Sequence, residues 1–228
     1  MSDYDMQKRI YNTPYNYIEN LKIKVERSLV DGTMTIEDAR KLMKLKSPLR
    51  VQLGESRIMS LNDNIDVDKI LKEVEQHVDD NLSWRRPDVC QIMLQGIKVD
   101  GDPYFGSREF KEIAEAGYKE KDFIIPLFPG MNYTNKLLKE LKMFRSRLML
   151  LKPKTCLSWH HDPGMRMHIP LVGDSDSFHI IEDLDGNKIV HQIEIGKAHL
   201  MNTEVNHSGI NLSRKVERIH IVGCVNVD

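Results

Sequence analysis

The sequence has little cysteine, almost no excess charge and no long apolar run, and each shortage removes a class of protein. Cys90, Cys156 and Cys224 are the only cysteines in 228 residues. An odd number with no CxxC pair argues against a disulfide framework and for a reducing compartment. Lys and Arg total 33 against 34 Asp and Glu, a net charge of -1. No global basic field therefore favours nucleic acid or an anionic membrane. No apolar run approaches the ~20 residues that a spanning helix needs. The opening Met1-Ser2-Asp3-Tyr4-Asp5 is acidic and polar, unlike a signal peptide, so a cytoplasmic protein without membrane or nucleic-acid partners is expected. No internal repeat or low-complexity tract stands out.

What is present divides into three stretches. Residues 1–48 predict a helical hairpin arm. Thr13 and Pro14 open its first helix and Asp31-Gly32 stops it; Thr35 opens the second and Ser47-Pro48 ends it. Residues 49–144 predict a mixed α/β support region. Its expected elements are strands at 50–53, 57–61, 91–99 and 123–128. Helices are expected with caps at Asp66, Ser107 and Thr134, the Ser107 helix carrying Phe110, Ile113 and Ala114 and closed by Gly117. Val99-Asp100-Gly101-Asp102-Pro103 is turn chemistry. Residues 145–228 change texture to short strands at 145–152, 156–162, 166–172, 177–182, 188–194, 197–202 and 216–225. Asp185-Gly186-Asn187 predicts a hairpin turn between two of these. Such a series indicates a sandwich or jelly roll.

Alternation within these strands carries further information. Arg166, His168 and Pro170 fall on one face, with Met167, Ile169 and Leu171 on the other. Arg218, His220 and Val222 alternate in the same way with Ile219, Ile221 and Gly223. An ordinary sandwich turns its apolar face inward. Here the charged face would line a barrel interior, and the preceding helices would cover the apolar outer face.

That interior contains a metal-ligand pattern. In Trp159-His160-His161-Asp162, a strand sends His160 and Asp162 to one side and His161 to the other. His207 follows at a distance. His-x-Asp with a distant His is the spacing of a facial triad that holds non-heme Fe(II) and leaves other positions open. Two His and an Asp would also suit a hydrolytic zinc site, which needs a general base nearby. Arg218, shortly after His207, is instead a binder of carboxylates. This favours iron, O2 and 2-oxoglutarate over zinc-activated water.

Leu151-Lys152-Pro153-Lys154-Thr155, Trp159-His160-His161-Asp162, Arg166-Met167-His168-Ile169-Pro170-Leu171, Gly196-Lys197, Asn206-His207-Ser208 and Arg218-Ile219-His220-Ile221-Val222 occur in order. Through these runs, the segment from Arg145 to Asp228 resembles the aspartyl/asparaginyl β-hydroxylase family of Fe(II)/2-oxoglutarate dioxygenases. Free-proline hydroxylases of similar fold share much of the pattern. The resemblance implies an α+β protein built on a cupin-like double-stranded β-helix. It implies iron on His160, Asp162 and His207, and the distal carboxylate of 2-oxoglutarate on Arg218. Arg166 and His168 would lie near the co-substrate, with Ser158 a weaker candidate on the same face and His220 lining the barrel. The implied activity is hydroxylation of an unactivated C–H bond of an amino-acid side chain, in a peptide or a free amino acid. The loop Pro163-Gly164-Met165 is shorter than in animal members. Met149 replaces a small polar residue, and Asp162 supplies a carboxylate that some members lack. The resemblance therefore carries the reaction class rather than the substrate. Two rivals are a cupin-like hydrolase or isomerase, and a non-catalytic binding module.

Two further expectations concern the surroundings. Residues 100–106, with Tyr104 and Phe105, are expected to reach the site as a recognition loop or to pack on the core. His179, His191 and His199 are expected at the surface or in support of other residues, with no assigned role.

Overall fold

The computed structural model describes residues 58–62, 64–79, 82, 84, 90–107, 110–182 and 187–225. The helical arm expected over 1–48, the strand expected at 50–53 and most of the 185–187 turn lie outside them. The described chain runs β1 (Ile58–Asn62), α1 (Val67–Val74), β2 (Gln91–Met93), β3 (Gln95–Gly96), α2 (Phe110–Glu115), β4 (Ile125–Pro126) and α3 (Asn132–Glu140). Eight strands follow: β5 (Met143–Leu151), β6 (Thr155–Cys156), β7 (Arg166–Val172), β8 (Ser177–Glu182), β9 (Lys188–His191), β10 (Ala198–Met201), β11 (His207–Asn211) and β12 (Arg218–Val225).

Those eight strands wind between two antiparallel sheets. One has the order β1-β10-β7-β12-β5-β2, the other β6-β11-β8-β9. Apart from the β8–β9 hairpin, consecutive strands cross from one sheet to the other, which is the winding of a double-stranded β-helix. The fold is α+β, as expected. Strands from before residue 143, β1 and β2, extend both edges of the larger sheet. This leaves its central strands paired on both sides.

The inverted polarity read from the alternation is also present. Met167, Ile169, Leu171, Ile219 and Ile221 join Leu148, Leu150 and Leu200 in one buried apolar cluster. Ile70 and Val74 of α1 and Leu137 and Leu138 of α3 belong to the same cluster, so helices cover the outer face of the larger sheet. Each fully buried Leu or Ile there contributes about 1.5–3 kcal/mol. The alternate side chains, Arg166, His168, Arg218 and His220, are buried on the other face. His168, Arg218 and His220 meet His179 of the smaller sheet between the sheets.

Local signals explain two of the helix ends, and one expectation is corrected. Asp66 caps α1 as expected, its carboxylate accepting from the Lys69 N–H at 3.0 Å. Thr134 does not cap α3, which begins two residues earlier at Asn132. Glu73 of α1 serves instead. Its carboxylate accepts from the Tyr133 N–H (2.8 Å), the Thr134 N–H (2.9 Å) and the Thr134 hydroxyl (2.7 Å). A carboxylate at a helix N-terminus satisfies orphan donors and meets the positive end of the dipole.

The expected strands at 91–99 and 123–128 are each broken. Leu94 accepts from Leu127 N–H at 2.9 Å, and Gln95–Gly96 leave the larger sheet to pair with Ile125–Pro126. Gly117, at φ +81°, ends the α2 region as expected. Ala114 is exposed rather than core. No helix among the described residues is long and apolar enough to cross a membrane.

Candidate functional site

The segment after β6 is not regular strand, yet it keeps the expected side-chain directions because it is bonded to β11. His160 and His207 exchange backbone hydrogen bonds at 3.1 and 2.7 Å, and Asp162 N–H donates to Thr203 O at 2.7 Å. This pairing brings His160, Asp162 and His207 together, their ligand atoms all within 4.8 Å of one another. His161 lies outside the cluster. The two imidazole centroids are 4.5 Å apart, and His207 Nε2 lies 4.0 Å from Asp162 Oδ2.

Each histidine is oriented by its own backbone neighbourhood. His160 Nδ1 donates to Ser158 O at 2.7 Å, and His207 Nδ1 donates to Val205 O at 2.9 Å. A carbonyl only accepts, so the proton sits on Nδ1 and the Nε2 lone pair is left for a ligand. Burial pushes the His207 imidazole down to about 4, which keeps it neutral near pH 7. Ser158, an exposed residue, contributes its carbonyl to this arrangement.

Asp162 is the anionic member. Burial works to raise its carboxyl, but Arg166, then His207 and Arg147, outweigh this and hold it at about 2. Arg166 Nε lies 3.3 Å from Asp162 Oδ2, and its Nη2 donates to Glu120 Oε1 at 3.1 Å. Glu120 also pairs with Arg145, which in turn donates to Gly106 O at 2.8 and 3.2 Å. A chain of alternating charges thus runs from the 100–106 segment to the triad. Burial works to lower the Arg166 guanidinium, but Asp162 leads the groups that raise it overall.

Arg145 enters this chain through a bulge. It adopts φ +49° where the register of β12 shifts between Val222 and Cys224. Bulges beside sites re-aim side chains in this way. Tyr104 and Phe105 make the packing contacts of the second alternative. Tyr104 packs on the main apolar cluster, and Phe105 stacks on Phe123 at 5.9 Å.

Arg218 is 3% exposed and no carboxylate among the described residues pairs with it. Its Nη2 contacts His179 Nε2, and its guanidinium lies against Gly209. Burial alone lowers it to about 9. His168, His179 and His220 gather beside it, with His168 and His179 centroids 4.8 Å apart. All three are pushed well below the usual imidazole range by burial and then by Arg218. Their nitrogens are near enough to one another to share a cation. Arg218 opposes that, because it holds the His179 Nε2 lone pair and sets a fixed positive charge beside the trio.

The expectation for His179 is corrected in part. It is 2% exposed and supports Arg218 directly. His199 is also buried, its Nε2 paired with Glu194 O at 2.9 Å, and His191 is half-buried. Arg145, Arg147, Glu120 and His179 escaped the sequence reading. Arg147 faces the site without a carboxylate partner among the described residues, its Nε donating to Met149 Sδ at 3.5 Å. Burial, Arg145 and Arg166 lower it to about 10. The alternation of Arg147 and Met149 on β5 was the available signal for Arg147.

Two imidazoles whose Nδ1 atoms are held by backbone carbonyls, and one ionised carboxylate, fit a divalent first-row metal. The surplus of guanidinium behind them fits an anionic ligand.

No protein-family model matches the chain, and no curated protein matches it. Solved structures similar to it include a Pseudomonas putida prolyl-4-hydroxylase, at 13% identity and TM-score 0.44, covering 78% of this chain and 96% of that one. A 2OG-Fe(II) oxygenase-family oxidoreductase from Burkholderia pseudomallei is 11% identical at TM-score 0.44, covering 77% and 90%. A cupin domain from Bordetella pertussis is 18% identical at TM-score 0.30, covering 36% and 80%. At these values the likenesses carry nothing about this chain's residues, and the double-stranded β-helix rests on its own strand order.

Proposed function

We propose that the protein is a 2-oxoglutarate-dependent, non-heme Fe(II) oxygenase. It hydroxylates an unactivated C–H bond of an amino-acid side chain, in a peptide or a free amino acid, with release of succinate and CO2. The observation that supports this best is a pair of features in one barrel. Three candidate ligands converge at His160, Asp162 and His207, and a buried guanidinium with no carboxylate partner among the described residues lies at Arg218. Iron held there would supply activation of O2 coupled to decarboxylation of the 2-oxo acid.

The chain's own residues bind and orient. His160 and His207 present Nε2 because Ser158 and Val205 carbonyls hold Nδ1–H. Asp162 stays ionised at neutral pH because of Arg166, which also fixes its direction. Arg218 receives the distal carboxylate, with His179 fixing the guanidinium and Gly209 leaving room for it. Two parallel N–H donors match two carboxylate oxygens, so the fork also orients the ligand. His168 and His220 line the same interior as neutral imidazoles.

The test is direct. The purified full chain, given Fe(II), ascorbate, O2, 2-oxoglutarate and a library of amino acids and peptides, should form succinate and add one oxygen to a library member. Mass spectrometry reads both. Binding of 2-oxoglutarate without succinate from any member would make the protein a binding module instead.

A further inference from the structure

The barrel opens at the end where β12 begins, and the metal ligands do not line that opening. A cavity of about 510 Å3 lies between the β7–β8 and β9–β10 connections. Gly173, Ser175, Gln192 and Ile195 form its rim, and Arg218, His179 and His220 its floor. His160, Asp162 and His207 are not among its lining residues. Register shows why. Arg166, beside Asp162, pairs with Cys224, whereas Val172, which lines the cavity, pairs with Ile219 next to Arg218. The floor itself stays near the triad: Arg218 lies against Gly209, two residues from His207 on β11, roughly 7 Å at ~3.3 Å per residue.

We propose that this far mouth is the route by which the small carboxylate co-substrate enters and its dicarboxylate product leaves, while the prime substrate approaches from the triad end. The inference rests on the oxygenase reading above. Three observations carry it. The volume falls within the range of small-ligand pockets, roughly 300–1,000 Å3. The floor is a buried guanidinium without a carboxylate partner among the described residues, and such a charge is costly until an anion reaches it. His179 and His220 each keep a buried Nδ1 with no hydrogen-bond partner, so the floor has polar capacity beyond Arg218. The rim does not repel strongly. Glu194 is paired with Lys197 at 3.0 Å, and the Asp174 carboxylate accepts from Asp176 N–H at 3.0 Å. Entry from this side lets the co-substrate site exchange its ligand while the prime substrate still covers the triad.

The experiment narrows the mouth without touching the floor or the triad. An added Cβ at Gly173 meets only Ser177, at 3.6 Å, which is ordinary contact, so Gly173→Phe has room for its first carbon. Ser175 is exposed, and Ser175→Trp is the second variant. The full chain loaded with Mn(II) is mixed with 2-oxoglutarate in a stopped-flow instrument, read by the fluorescence of Trp159 beside His160 and by equilibrium titration. Both association and dissociation should slow by about tenfold or more in each variant while Kd changes little, because a plug at the mouth obstructs passage and not the bound state. Unchanged rates in both variants would overturn the far route and leave the oxygenase reading standing. No 2-oxoglutarate binding by the unaltered protein would remove both.

Discussion

The Arg218 guanidinium lies so close to β11 that a Cβ at Gly209 would come within 3.1 Å of Nη1. Together with the His179 contact, this fixes the fork in one orientation. Arg218→Lys should therefore weaken 2-oxoglutarate by about 10- to 100-fold, because a point charge cannot donate two parallel bonds. Mn(II) affinity should be unchanged, and calorimetric titration of both ligands checks this. At the metal ligands, His160→Ala, Asp162→Ala and His207→Ala should each lower metal affinity by about 100-fold or more, whereas His161→Ala should change it only about twofold. An equal loss in His161→Ala would refute the strand-face assignment. The His160–Asp162 pair was legible because His-x-Asp alternation is local, and His207 only through its place in the longer pattern. The partners that tune them were not. Glu120 reaches Arg166 across 46 positions of sequence, and His179 reaches Arg218 across 39.

At the scale of elements, α1 and α3 act as one unit over the outer face. Tyr133 OH accepts from Asp66 N–H at 2.9 Å, while Glu73 caps α3 from α1. Glu73→Ala removes three acceptor contacts and should cost about 1–3 kcal/mol of stability, between a lost cap and lost charged hydrogen bonds. Urea denaturation measures it, and 2-oxoglutarate affinity in the folded variant should be unaltered. Element identity was largely readable. β7 and β8 fall at the expected residues, and β5 and β12 lie within two residues of expectation at each end. The misreadings at Thr134 and Leu94 share a cause. In each, a partner distant in sequence satisfies backbone groups that local preference would have satisfied otherwise.

For the whole molecule, the inverted polarity has a consequence for pH. His168, His179 and His220 are buried as neutral imidazoles, all pushed well below their usual range, first by burial. In the unfolded chain they take up protons near ~6.5, before the folded protein does, so stability is full above that pH and falls as pH falls below it. Asp162 acts in the same sense but in a lower window, from ~3.9 down to its folded value of about 2. The metal-free protein should thus lose stability between about pH 7 and about pH 5.5, by up to ~1.4 kcal/mol per pH unit for each histidine. Denaturant midpoints across that range test it, and His220→Gln should flatten the slope. A midpoint independent of pH there would mean the imidazoles take up protons in the folded protein as readily as in the unfolded chain.

The sequence by itself determined the strand and turn texture from about residue 145, apart from β11, together with the reversal of polarity on β7 and β12 and the His160–Asp162 pair. All of these follow from period-two alternation or short spacing, which a chain carries wherever it is placed. Only the tertiary structure decided that β1 and β2 complete the larger sheet. It alone decided that Glu73 caps a helix 61 positions from it to Thr134, that a bulge turns Arg145 toward Gly106 and Glu120, and that the barrel opens beneath Arg218. Those outcomes depend on strand order and register between segments far apart in sequence, and on buried charges finding partners once the sheets close. Neither has a local signature.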